Sequence, residues 1–340
     1  MHDPEKLDQL SPSGCVLPRP AAVVLVKTRR FSALERRSVG AAVTWDALAP
    51  GVVICQLAKG HRFSNDDQLT ACRAVEAHPG ATRLLDLGAG VGSVGLTALS
   101  RCAETATLCC VEAQRISHEL CRRTVARNGL EHRVACVHAD LRDFDGGRGY
   151  DLITGSPPYF DPRDGVPSAH DQKAYCRLEY RGGLDEYCAA AARSLARGGT
   201  FAWVMAAADG RNDACPARHG LVVIDRVDVV FKAGRPPHIC VVVACRRDDA
   251  RARRAASRST LTLRDAAGRR TLDYRVWQER MHLPPSTPPG AVRAALERLA
   301  AAACESERRA AVDAATALGM RPTPGSPELR TALAALGAGS

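Results

Sequence analysis

The chain has 340 residues, 46% hydrophobic and 25% charged, which is enough for one large core and a smaller appendage at roughly 100 to 200 residues per domain. No segment reaches the ~18 consecutive apolar residues of a membrane helix, and Met1 to Gly14 carry Asp3, Glu5 and Asp8 where a leader or transit peptide avoids acids, so no membrane partner and a cytoplasmic protein are expected. Lysine and arginine (47) exceed aspartate and glutamate (37), for a formal charge of +10, and they cluster at Arg19 to Arg62 and Arg246 to Arg280, as phosphate-backbone binding would require.

Strand and helix signals alternate from Thr82 to Cys245. Apolar Leu84 to Leu87 reads as a buried strand, followed by glycines and a helix over Ser93 to Ser100. Leu108 to Glu112 is a second strand, Ser117 to Asn128 a helix stopped by Gly129, and Val134 to His138 a third strand. Asp151 to Gly155, a helix from Leu184 to Leu195 and Thr200 to Met205 continue the series, which predicts a doubly wound parallel α/β sheet. Leu221 to Phe231 and His238 to Cys245 lie too close together for a crossover helix. They therefore form a hairpin, which adds one antiparallel strand. Three segments result: a basic N-terminal extension (1–48), the α/β domain (49–282) and an alanine-rich helical tail (283–340). The 14 cysteines show no Cys-x-x-Cys spacing and read as small core side chains, with neither a disulfide framework nor a metal site implied.

The first chemical motif is Leu84-Leu-Asp-Leu-Gly-Ala-Gly-Val-Gly-Ser-Val-Gly95. Its glycines sit at a strand-to-helix turn, where the missing side chain admits a ligand close to the backbone. Gly90-x-Gly92-x-x-Gly95 also satisfies the dinucleotide fingerprint, with Glu112 at the appropriate distance, so the motif by itself indicates only a nucleotide-like ligand. Asp86 tips the balance, because a carboxylate at the first strand's end suits a ligand with a cationic end and would repel a pyrophosphate. Glu112, after the second strand, is then placed to accept from ribose hydroxyls, and Asp140, after the third, from an adenine amino group. The second motif, Ser156-Pro-Pro-Tyr-Phe160, follows the fourth strand. Ser156 and the Pro157 carbonyl suit an exocyclic amine, and Tyr159 suits stacking on the ring that carries it.

Together with Cys55-Gln-Leu-Ala-Lys-Gly-His-Arg-Phe-Ser-Asn-Asp66, these motifs resemble those of the bacterial N6-adenine methyltransferases that modify the anticodon loop of valine tRNA. The resemblance spans about Ala49 to His282, including Lys232 to Pro237 and Asp265 to Thr271. It implies a Rossmann-like class I methyltransferase fold, with a seven-stranded mostly parallel sheet, one antiparallel strand and a small helical C-terminal appendage. It also implies S-adenosylmethionine as cofactor and tRNA as partner. On this reading the cofactor is held by Asp86, Gly88, Ala89, Gly90, Gly92, Glu112, Asp140 and Leu141. Ser156, Pro157, Pro158 and Tyr159 form the catalytic loop, while Arg62, Phe63, Asp66 and Phe160 face the substrate.

Two positions depart from the family pattern: His61 replaces a tyrosine, and Ser156 replaces the usual asparagine. Serine loops also occur in DNA cytosine N4-methyltransferases, many of which reverse the order of the two motifs, and protein glutamine methyltransferases use a similar Pro-Pro-Tyr loop. A DNA or protein acceptor therefore stays open, as does a non-catalytic nucleic-acid-binding relative. The loop from Asp161 to Arg181 is expected to face the substrate, with no catalytic role for His170, Cys176 or Glu179.

Overall fold

A computed structural model describes residues 42–163 and 171–280. The basic residues from Arg19 to Arg37 and the alanine-rich tail lie outside them. The described chain opens with an antiparallel hairpin, β1 (Val43–Ala49) and β2 (Val52–Leu57). β1 lies across the expected boundary at 48/49, and Leu48, Ile54 and Leu57 of the hairpin are buried in the core. Helix α1 (Asn65–Ala77) follows, with a capping box: Ser64 accepts at its N-terminus while Asp67 reaches back to the Ser64 N–H.

The α/β alternation then proceeds through β3 (Arg83–Leu87), α2 (Ser93–Leu99), β4 (Thr107–Glu112), α3 (Arg115–Arg127), β5 (Val134–His138) and β6 (Tyr150–Gly155). It continues with α4 (Asp171–Arg177), α5 (Leu184–Ser194), β7 (Leu195–Ala206), α6 (Arg211–Arg218), β8 (Leu221–Val230) and β9 (Ile239–Arg246). Two further elements close the described chain, β10 (Ser257–Thr262) and α7 (Leu272–Arg280). The strand order is β5-β4-β3-β6-β7-β9-β8-β10, parallel throughout except for β9. This is the expected mostly parallel sheet with its hairpin-borne antiparallel strand.

The sheet has eight strands rather than the expected seven. The additional one, β10, comes from the second arginine-rich stretch and pairs in parallel with β8, from Ser257 opposite Asp225 to Thr262 opposite Val230. Ser257-Arg-Ser-Thr has no apolar run to announce a strand. Its order comes from the ladder with β8, and its charged, hydroxylated side chains suit an exposed sheet edge.

Apolar side chains cover both faces of the sheet, as a parallel sheet buried between helices requires. On one face the hairpin, α1, α2 and α3 pack through Ile54, Ala74, Leu96, Leu120 and Val125. On the other, α5 and α6 contribute Leu184, Tyr187, Cys188 and Cys215 against Phe201 and Trp203. Every described cysteine is free, and most are buried. The first strand of the alternation, β3, has β4 on one side and β6 on the other, so successive crossovers diverge there. The cleft outside the carboxyl ends of such strands is where this architecture binds ligands.

Candidate active site

A cavity of about 610 Å³ opens at that switch point, within the range of small-molecule sites. Its wall brings together all of the sequence-predicted residues except Gly92: Asp86, Gly88, Ala89, Gly90, Glu112, Asp140, Leu141, Ser156, Pro157, Pro158, Tyr159, Phe160, Arg62, Phe63 and Asp66. Gly92 instead caps α2 from just behind the wall.

The floor is the turn after β3. Gly88 and Gly90 hold positive φ angles of 60° and 57°, a region side chains rarely adopt. A β-carbon at Gly88 would also collide with the Tyr187 hydroxyl of α5. The Gly90 N–H donates to Glu112 Oε2 at 2.8 Å, and the Gln114 N–H donates to Oε1. Burial raises the Glu112 pKa, and the two backbone donors oppose that shift. Each carboxylate oxygen accepts one bond and keeps a second lone-pair direction for a ligand hydroxyl.

Asp86 is 1% exposed. Its Oδ2 accepts from the Gly95 N–H at 2.9 Å and its Oδ1 from the Thr154 hydroxyl at 2.8 Å, so it braces β3 against α2 and β6 while lining the cavity. Burial outweighs those two donors and pushes its carboxyl up to about 7. Asp67, which the motifs above do not single out, is a third buried acid on the wall, with Asp86 and Glu112. Burial lifts it to about 6, against the opposing Ser64 N–H. The signal for it was the capping-box spacing from Ser64 to Asp67. Asp140 is engaged by Arg142 through bonds of 2.9 and 2.7 Å. Burial would raise its pKa, but the Arg142 guanidinium and N–H hold it below the usual value.

The catalytic-loop motif emerges from β6 beside this floor. The Tyr159 hydroxyl donates to Asp66 Oδ2 at 3.2 Å, joining two residues predicted from separate motifs. Tyr159 also packs against the apolar cluster that includes Leu69, Val204 and Val241, so the loop's aromatic residue is held in place. Phe160 stands at the mouth, 45% exposed. Arg62 lies on the wall, with its guanidinium on Asp46 and Thr44 of β1, and Phe63 leans into the core while its N–H donates to Gln56.

Arg211, at the start of α6, was not legible from the motifs. It donates to the Tyr159 carbonyl at 3.3 Å, to the Glu179 carboxylate and to Asp209. Phe160 and Glu179 are further tied by backbone bonds, Phe160 N–H to Arg177 and Glu179 N–H to Phe160. On the opposite wall, Gln172 of α4 accepts from the His61 N–H and donates to Ser117.

The fit to S-adenosylmethionine rests on this arrangement. The glycine turn lets a ligand approach the backbone, Glu112 offers accepting oxygens, and the floor gathers Asp67, Asp86 and Glu112 where a sulfonium and an ammonium need counter-charge.

Residues 72–214 match the methyltransferase small domain family. The chain is 28% identical over 171 residues to a tRNA1(Val) (adenine(37)-N6)-methyltransferase of Tolumonas auensis, covering 49% of this chain and 70% of that protein. It is 30% identical over 163 residues to the protein of that name in Cronobacter sakazakii, covering 46% and 65% respectively. A release factor glutamine methyltransferase of Agrobacterium fabrum is 29% identical over 180 residues, covering 48% and 58%. The chain thus spans between 58% and 70% of these relatives' lengths. The matched region, which holds the glycine turn, Asp86 and Glu112, is thus similar to methyltransferases, a family that uses S-adenosylmethionine.

Proposed function

We propose that this protein transfers a methyl group from S-adenosylmethionine to the N6 amino group of an adenine in tRNA. The observation that carries the reading is the opening of Ser156-Pro-Pro-Tyr159 into the same cavity as the glycine turn and Glu112. An amine held on that loop faces the ligand held on the floor.

The cofactor supplies an electrophilic methyl group that needs little activation. What the chain's residues contribute is orientation, worth up to roughly 7 to 11 kcal/mol in well-aligned systems. The Ser156 hydroxyl and the Pro157 carbonyl each accept one proton of the acceptor amine, which turns its lone pair toward the methyl for in-line displacement. Tyr159, pinned by Asp66 and by its apolar neighbours, presents a fixed face to the base. No general base is needed, because the amine proton leaves after transfer.

The relatives' names include both tRNA adenine and protein glutamine methyltransferases, and a glutamine amide would use the same two acceptors. The deciding experiment offers labelled S-adenosylmethionine to the protein with unmodified tRNA and, separately, with a cell extract freed of nucleic acid. Nucleosides are then resolved by mass spectrometry. N6-methyladenosine in the tRNA is the expected product. Label confined to polypeptide would replace this reading with the glutamine one.

A further inference from the structure

Five large apolar side chains are exposed among the described residues: Val43, Trp45, Phe160, Tyr180 and Phe231. One of them lines the cavity and two others contact residues that line it. Phe160 is part of the wall. Tyr180 packs edge-on against Tyr175, another wall residue, with ring centroids 5.3 Å apart. Phe231, at the end of β8, lies 4.9 Å from the ring of His238, which also lines the wall.

Cations accompany these aromatics. The Arg177 guanidinium stands 5.9 Å from the Phe160 ring centre and that of Arg181 stands 4.6 Å from Tyr175. Lys232 and Arg235 are exposed in the turn between Phe231 and His238. That turn is tied to the following segment by the Ala233 N–H, which donates to the Arg264 carbonyl at 2.8 Å, so the platform is positioned by main-chain bonds. Exposed rings interleaved with guanidinium and ammonium groups match a partner with flat, unpaired bases on a repeating anionic backbone. A polypeptide around a glutamine offers no such repeat.

We infer that the Phe231–His238 pair is a stacking platform for a nucleotide flanking the acceptor in an unpaired RNA strand, beside the cavity wall that His238 lines. This rests on the RNA reading above and adds the contact that distinguishes a splayed loop from a paired or peptide substrate.

The test uses the full chain and a short single-stranded oligoribonucleotide with one adenine, alongside the same oligomer with abasic residues on either side. Fluorescence anisotropy gives Kd, and methyl transfer gives KM and kcat. Phe231→Ala and Phe231→Leu should each raise Kd and KM about tenfold, as expected for one lost base stack, with little change in kcat, while Phe231→Trp restores both. Abasic flanks should cost the wild type a similar factor and cost Phe231→Ala nothing more. Methylated RNA at wild-type KM in Phe231→Ala, full rescue by leucine, or losses that multiply would overturn the platform alone. Absence of RNA binding, with methyl found only in protein, would overturn both the platform and the RNA reading.

Discussion

Tyr159 does two things that single substitutions can separate. On the proposed reading its ring faces the acceptor base, and its hydroxyl ties the Ser156–Tyr159 loop to Asp66 on α1. If stacking dominates, Tyr159→Ala should lower kcat/KM about 5- to 150-fold, in line with the ~1 to 3 kcal/mol of a base–aromatic contact, while Tyr159→Phe retains most of the activity. Equal damage from both would assign the residue's worth to the hydroxyl. Asp86 supports a second prediction. With its carboxyl near pH 7 rather than its ordinary 3.8, the folded protein keeps a proton that the unfolded chain releases, so Asp86 makes stability fall as pH rises from about 4 to about 7. A cation nearby favours the ionised form. The preference for S-adenosylmethionine over its demethylated product, which lacks the sulfonium charge, should therefore grow severalfold between pH 6 and pH 8, as read by calorimetric titration. A ratio independent of pH would show that Asp86 does not sense the sulfonium. Both residues were legible because they stand at strand ends inside recognisable motifs. Arg211 was not, since its partner Tyr159 lies 52 residues away and nothing local marks the pairing.

The catalytic loop is fastened by an element that contributes nothing to the cavity wall itself. Through Arg211, the first turn of α6 grips the Tyr159 carbonyl and the carboxylates of Glu179 and Asp209, so the end of this loop and Glu179 share one guanidinium. Arg211→Ala should then lower kcat about tenfold with little change in cofactor affinity, because orientation and not binding is lost. Arg211→Lys, which cannot reproduce the forked contact, should recover only part of it. An unchanged kcat with a lower melting temperature would reduce Arg211 to a structural brace. Element by element, the sequence announced β3 to β6 and the β8–β9 hairpin because apolar runs and glycine stops bound them. The β1–β2 hairpin has its Pro50-Gly51 turn signal, yet its polar and apolar residues do not form a clean run. β10 has a single apolar side chain, Leu261, and an edge strand otherwise of serine, arginine and threonine is defined by its neighbour.

Across the whole molecule, the count of 47 lysines and arginines overstates the cationic surface offered to a partner. Arg142, Arg163, Arg211 and Arg251 each turn back onto the aspartate two positions earlier, at Asp140, Asp161, Asp209 and Asp249. Such pairs cancel beyond a Debye length of about 8 Å in physiological salt. The salt dependence of RNA binding should come instead from cations such as Lys232 and Arg235. Replacing both with alanine should make the slope of log affinity against log salt shallower by up to about 1.4, at ~0.7 per phosphate contact on a single strand. Replacing Asp161 and Arg163 together should leave it unchanged. A slope that responds equally to both pairs would mean that the clasped arginines also reach the backbone.

The seam between the opening hairpin and the domain has a practical bearing on how the chain can be cut. Asn128 at the end of α3 exchanges hydrogen bonds with the Val53 N–H and carbonyl, and Thr124 accepts from the Cys55 N–H. A fragment trimmed to the family match at residues 72–214 would begin inside α1, lose this stitching together with Leu48, Ile54 and Leu57, and end before the β8–β9 hairpin that covers β7. Exposed strand edges and an opened apolar face make such a fragment prone to self-association. Engineers seeking a minimal active version should therefore keep everything from Val43 through α7, and should graft new specificity at the mouth.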